Sequence, residues 1–388
     1  MKILFPYMAR WYSLNWSRYH SLLIALAQRG HEVHVLQPPP MQSQETNFLE
    51  IVPVPVPGLT VHDVAVPAWI WNRRMPFEKL VKKALVSIYS VAHARRLARQ
   101  VGITHVVLYN IPQALLAKVP GTRMVFDYAD DYMDMLRHEL GRMSNPLLLG
   151  MAQKLLDFMF RHAYLVTTVS HVLAEGQARP MAVLPNGVST AKVSAVDLDD
   201  ALRGKGPRPV VGFLGSFEYF IDFPLILDTA ERLPEVDFML VGKGRDYEGV
   251  ARAVAERKLS NVNLVGGVPH AEVFRHIARM DICLNIFKKI PVSERACPIK
   301  LFEYAAMKKP IVSTRLAELP YVDKGFLYYA DTADEAVTRI REIIAEPEVA
   351  RQRAERGWRH TMDHYTWERI AQDFEQIAAG PAIQGATP

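Results

Sequence analysis

The hydrophobic positions along this chain follow two rhythms. Apolar runs of strand length alternate with longer stretches in which apolar residues recur at helical spacing. Residues 2–6 (KILFP) read as a buried strand, residues 15–28 as a helix closed by Gly30, and residues 31–36 (HEVHVL) as a second strand ended by Pro38-Pro39-Pro40. The prolines of residues 51–57 (IVPVPVP) admit only an edge strand or an extended segment. Further on, the pattern predicts a helix over 77–100, strands over 105–109 and 123–128, a helix over 146–162 and a strand over 164–169. Asn186-Gly187 reads as a turn. After a polar stretch the alternation restarts, with strands over 209–214, 237–241, 261–265 and 281–287 and helices over 224–232 and 270–280. Loop, helix and strand follow over 292–314, and helices over 331–384, with Tyr365, Trp367 and Phe374 anchoring the last; the tail from Ala378 is expected to fray. A strand–helix–strand order repeated twice in 388 residues predicts an α/β protein of two parallel-sheet domains.

Composition narrows the class. A content of 49% hydrophobic and 22% charged residues is globular. The net charge of +5 suits anionic substrates or an anionic membrane surface, and nothing resembles a nucleic-acid module. Cys283 and Cys297 are the only cysteines, which excludes a disulfide framework and gives no metal-ligand spacing. The first residues, MKILFPYMARWY, lack the apolar core of a signal peptide, and no uncharged apolar run reaches the roughly 18 residues of a membrane span. The expectation is a reducing, cytoplasmic setting. Trp69, Trp71, Arg73 and Arg74 precede the basic helix over 77–100, which carries Lys79, Lys82, Lys83, Arg95, Arg96 and Arg99 around Leu80, Ala84, Leu85 and Ile88. That helix either packs on the sheet with a solvated back or docks on an anionic bilayer, peripherally on its inner face.

The chemistry concentrates in residues 292–314, VSERACPIKLFEYAAMKKPIVST. Pro298 suits a helix start, Leu301, Phe302, Ala305 and Ala306 share a face, and Pro310 precedes the strand. Lys300 in the first turn opposes the helix dipole, a conflict relieved if an anion such as a diphosphate docks on the N-terminal N–H groups. Glu303 lies one turn on, where a carboxylate can accept hydrogen bonds from ribose hydroxyls. The plain alternative is a solvated i,i+3 ion pair. A second cluster follows strand 123–128: Asp127, Asp130, Asp131 and Asp134, where α/β sheets place ligands and where Asp also caps helices. The loop after the first strand has no glycine, so a dinucleotide oxidoreductase is disfavoured. Its Trp11, Tyr12 and Trp16 can face a sugar or lipid acceptor, or brace the loop.

The order Pro-x-Lys-x-x-Glu-Tyr, then Lys-Pro and a strand, resembles the nucleotide-sugar signature of GT-B glycosyltransferases of family 4 and their relatives. GFLGS, LVGKG, VNLVGGV, PIKLFEY and KPIVST follow in that family's order over about a hundred residues. The resemblance is strong over 209–315 and weak over 1–190. It implies a GT-B fold, two Rossmann-like doubly wound domains facing a central cleft: an acceptor-binding domain over 1–190, a linker over 191–208, a nucleotide-sugar domain over 209–360, and a terminal helix and tail over 361–388 that cross back. It implies transfer of a sugar from a nucleotide diphosphate sugar, UDP by family habit, to a glycan or lipid-linked acceptor. Donor contacts then fall to Gly215, Ser216, Gly242, Lys243, Gly244, Pro298, Ile299, Lys300 and Glu303. Lysine and helix dipole stand in for a metal, so no metal or cofactor is required, and domain closure excludes water.

FDYADD resembles the corresponding stretch of capsule and teichuronic-acid type enzymes, which points to Asp130 as the base with Asp131 in reserve. The run from Thr167 to Val188 resembles the segment that closes the N-terminal domain in this superfamily. Three departures stand out. GSFEYFIDF lacks the usual diphosphate-gripping arginine or lysine and has Asp222 instead. Glu294 precedes Glu303 by nine residues rather than eight. Lys308 replaces a customary glycine. These features are similar to teichuronic-acid type enzymes and to the membrane-attached, inverting glucuronosyltransferase of xanthan assembly, leaving retention or inversion open. A GT-B nucleotide-sugar epimerase and a non-catalytic partner subunit are the rival readings; intact Lys300 and Glu303 weigh against the second.

Overall fold

The computed structural model describes residues 1–12, 16–40, 55–73, 78–141, 145–175, 177 and 179–380. Expectations for Asn15, residues 51–54, Arg74, Phe77, Gly176, the tail 381–388 and the side chains of Lys79 and Leu80 lie outside these residues. The chain divides into two compact units: Met1–Leu184 with the residues from Ala371 on, and Pro185–Ile370.

The first unit holds a seven-stranded sheet, and every strand pair in it is parallel. Its strands are β1 (Lys2–Pro6), β2 (Glu32–Gln37), β3 (Leu59–Asp63), β4 (His105–Leu108), β5 (Arg123–Tyr128), β6 (Leu165–Thr168) and β7 (Ala182–Val183), in the order β3-β2-β1-β4-β5-β6-β7. Buried runs such as Ile3-Leu4-Phe5 and Val106-Val107-Leu108 form these strands because helices cover both faces of a parallel sheet. Strand order reverses beside β1, the doubly wound signature whose ligand crevice opens at the strand C-termini. The edge strand β3 begins beyond the IVPVPVP segment, where the prolines stop and each residue again has an N–H to pair with β2.

The second unit repeats the plan with six parallel strands: β8 (Val210–Leu214), β9 (Asp237–Val241), β10 (Val262–Gly266), β11 (Ile282–Asn285), β12 (Ile311–Ser313) and β13 (Leu327–Tyr329). Their order is β10-β9-β8-β11-β12-β13, with the reversal at β8. Residues 191–208, expected as linker, carry two short helices, Thr190–Ser194 and Leu198–Leu202, capped by the Ser189 and Asp197 side chains. Local capping overrides the polar, glycine-bearing composition there.

Asn186-Gly187 is not a turn. The backbone runs straight into a bridge between Val188 and Thr366, and Asn186 Nδ2 donates to Cys297 O at 2.6 Å. A Cβ at Gly187 would sit 2.6 Å from Ile370 Cδ1 and 2.8 Å from Tyr365 O, so the glycine serves close packing. The basic helix, Glu78–Gln100, packs Val86, Ala94 and Leu97 inward; Lys82 is buried over the Trp71 ring and bonded to Glu78. Trp69 remains exposed.

The last helix, Trp367–Ala379, buries Phe374 and Ala378, and Glu375 receives hydrogen bonds from Arg29 Nε at 2.6 Å and from the His31 ring at 2.7 Å. Those bonds, Arg29 first, hold the Glu375 pKa down at about 2. A depressed carboxylate pKa stabilises the fold above the ordinary value of 4.5 and loses that effect as pH falls toward about 2. Glu375→Gln is therefore expected to cost about 1 kcal/mol at neutral pH, screened by partial exposure. Denaturant unfolding at several pH values checks this: the gap between variant and parent narrows below pH 4.5.

Candidate functional site

The helix Ile299–Ala306 organises the second unit's site. Pro298 stands at its N-cap with φ −66° and ψ 121°, placing Ile299 and Lys300 in the first turn. The helix is held by its far face. Tyr304, fully buried, accepts a hydrogen bond from Leu214 N at 2.9 Å and donates to Leu214 O at 3.2 Å, at the last residue of β8. Phe302 stacks on Tyr365 at 4.4 Å. The helix ends at Ala306, before Pro310, because Lys308 turns left-handed at φ 54°. That is the conformation glycine favours, which explains why glycine is the customary residue at this position. Lys308 lies over the Trp358 ring and pairs with Glu355 at 2.9 Å, contacts a glycine lacks.

Lys300 Nζ lies 3.0 Å from Glu303 Oε2. Glu303 is buried, and the lysine is partly open to solvent. Gly215, which follows β8, borders this pair: a Cβ there would be 3.7 Å from Lys300 Cε. A cation at a helix start, one turn from a buried carboxylate and at the reversal point of the sheet, has the chemistry to hold a phosphate beside a polyol.

The other donor candidates have mixed placements. Ser216 is exposed next to Gly215. Gly242, at φ 141°, and Gly244 are required by neighbouring backbone: Cβ atoms there would fall 1.8 Å from Gly215 O and 2.4 Å from Phe217 O. The two glycines lock the loops after β8 and β9 together. Lys243 extends over the Tyr247 ring at 5.4 Å, its stem against Gly267.

Two departures acquire reasons. Asp222 is the N-cap of the helix Phe223–Glu231, accepting from Leu225 N at 3.1 Å, so the position usually given to a cation does a capping task. Glu294 accepts from Ala317 N at 2.7 Å and braces a loop. One neighbour of the site escaped sequence reading. Lys192, in the stretch expected as linker, lies 2.9 Å from His270 Nδ1 and within electrostatic reach of Glu303. Burial brings its pKa to about 8 against the pull of that carboxylate. No motif marks it.

In the first unit the aspartates separate by task. Asp127, at the end of β5, is buried, accepts from Thr167 Oγ1 at 2.7 Å and lies 3.4 Å from the buried Arg18 guanidinium. Asp131 caps the helix Tyr132–Leu140 by accepting from Asp134 N at 3.1 Å. Asp130 is exposed, with its backbone carbonyl bonded to Tyr132 N. The dense protein around it weakens its hydration, and Asp127 and Asp131 repel its charge, while Arg18 opposes both. Its pKa is pushed up to about 7. Trp11 is buried, stacked on His20 at 4.2 Å and edge-on to Tyr7 at 5.8 Å, so bracing is its role. Trp16 stacks on the same imidazole at 4.8 Å, half-buried like Tyr12.

Known proteins share this fold. Over 97% of the chain the structure matches sucrose-phosphate synthase from Thermosynechococcus elongatus, covering 98% of that chain, with a TM-score of 0.75 at 16% identity. It matches HepE of Anabaena, solved with UDP, over 98% of this chain and 100% of that one, with a TM-score of 0.66 at 15% identity. Residues 224–376 match the family described as glycosyl transferase-like. The chain has the GT-B fold. A curated relative, TuaH of Bacillus subtilis, named for teichuronic acid biosynthesis, is 31% identical over 119 residues, 31% of this chain and 30% of TuaH. The chain thus spans less than a third of that protein's length.

The Tyr304 hydroxyl sets the pose of the Lys300–Glu303 pair. Tyr304→Phe leaves a buried N–H and C=O at Leu214 without this partner and is expected to cost about 1–3 kcal/mol in denaturant unfolding.

Proposed function

We propose that this protein is a glycosyltransferase that moves a sugar from a nucleoside diphosphate sugar, with UDP as the nucleotide, to a hydroxyl of a glycan or lipid-linked acceptor. The observation that carries the reading is the Lys300–Glu303 pair at the head of a helix held to the end of β8. The glycosyl transferase-like match over 224–376 supports it, and HepE, solved with UDP, supports the nucleotide. TuaH, by its name, supports an envelope polysaccharide as the acceptor class.

In this scheme the donor diphosphate takes Lys300 from Glu303 and docks against the N-terminal turn, freeing the buried carboxylate for the ribose hydroxyls. The acceptor oxygen bonds to the anomeric carbon as the bond from that carbon to the phosphate oxygen breaks. The nucleoside diphosphate leaves with the electron pair, and Lys300 and the helix terminus offset the growing charge without requiring a metal. Asp130 takes the acceptor proton; its raised pKa makes it a better base than an ordinary aspartate while its exposure lets a hydroxyl reach it. Asp131, committed to its cap, holds the loop.

Lys300→Ala is expected to lower transfer by about 2–3 orders of magnitude with unfolding unchanged, measured as nucleotide diphosphate release with acceptor present. Wild-type turnover in that variant removes the reading. Asp130→Asn should abolish transfer while UDP binding, followed by calorimetry, persists. Because the base acts ionised, kcat/KM should climb as pH rises through about 7. An epimerised sugar formed from donor alone would instead select the epimerase.

A further inference from the structure

We propose that the helix Pro146–His162 is a docking face for an anionic lipid bilayer. This helix has two apolar sides. Ala152, Leu156 and Met159 are buried in the first unit, while Leu147 is 72% exposed, Met151 56% and Leu155 42%. The last three recur every fourth residue, so they form one outward stripe about 12 Å long, joined by Leu148 and the half-buried Phe158. Leu115, also exposed, lies on the 3-10 helix Ile111–Leu116, which packs beside this helix. Elsewhere among the described residues, exposed large apolar side chains stand singly or in smaller groups, as Ile88 does on the Glu78–Gln100 helix and Leu198 with Leu202 on theirs. A clustered stripe of this kind marks an interaction surface.

Charge selects the occupant. Lys154 and Arg161 flank the stripe on the helix, and Lys118 reaches over the Phe158 ring at 5.3 Å. Asp157 is the one carboxylate of this helix, and it accepts from Gln153 at 2.8 Å. An apolar strip edged by long basic side chains matches the acyl–headgroup boundary of an anionic membrane, where the strip enters the acyl layer and the cations meet lipid phosphates. A second copy is a poorer partner, because a two-fold interface through this stripe would place its basic rim against itself. The inference rests on this surface and is independent of the transfer chemistry. It moves lipid contact away from the Glu78–Gln100 helix, whose Lys82 is buried in packing.

The test is sedimentation of the full chain with phosphatidylcholine vesicles containing or lacking phosphatidylglycerol, at low and high salt. The expected result is binding to the anionic vesicles that weakens with salt. Replacing Leu147, Met151 and Leu155 together by Ser should lower that binding by about tenfold or more without changing the unfolding curve, since all three are exposed. Lys118→Glu with Lys154→Glu should weaken binding to anionic vesicles only. Equal binding by the triple variant, or no binding by the parent at low salt, overturns the proposal. A parent that forms a dimer dissociated by the triple variant, with no vesicle binding, overturns it in favour of a second copy.

Discussion

One buried hydroxyl determines where the helix bearing Lys300 and Glu303 sits against the sheet of the second unit. Tyr304 answers both polar groups of Leu214, the residue at which β8 ends and the strand order reverses. A strand end normally leaves its last N–H and C=O for a loop or for water. Here a side chain four residues past Lys300 occupies them, so the helix can take only a narrow range of positions relative to the sheet. The glycines after β8 and β9 serve the same end. Gly242 and Gly215 come so close that any side chain at Gly242 would collide with the Gly215 carbonyl. Lys300 and Glu303 therefore meet on a rigid support, which is what a site for a charged leaving group needs.

The departures from the family pattern become intelligible as displaced tasks. Asp222 is spent on capping a helix and Glu294 on a loop amide, so neither faces a ligand through those bonds. Cationic character enters from elsewhere in the unit, through Lys192 beside His270 and within reach of Glu303. Lys308 shows the reverse case. It accepts a strained left-handed backbone, and the aromatic and carboxylate contacts of its side chain offset the strain.

In the first unit one local cluster splits into three roles because burial differs from residue to residue. Asp127 is interior and shares its environment with Arg18 and Thr167. Asp131 answers a helix amide. Asp130, between them, meets solvent while its neighbours' charge and bulk raise its proton affinity. The aromatic loop shows the same sorting: His20 gathers Trp11 and Trp16 around its ring, and Trp11 is lost to the core.

Sequence alone determined the alternation of strands and helices, because buried parallel strands need unbroken apolar runs and helices need a repeating face; β1, β5 and the Pro146–His162 helix fall where that pattern puts them. It also determined the Lys300–Glu303 pairing, since residues three apart on a helix share a side. Contacts between residues far apart in the chain were another matter. Gly187 looked like a turn until Ile370 filled the space beside it. Lys192 looked like linker until His270 came within hydrogen-bond distance, and the helix over 146–162 did not reveal which of its apolar sides would be buried. Periodicity is set by bonds to near neighbours and can be read locally; burial, close approach and pKa depend on which distant segment packs against a residue, and only the tertiary structure decides that.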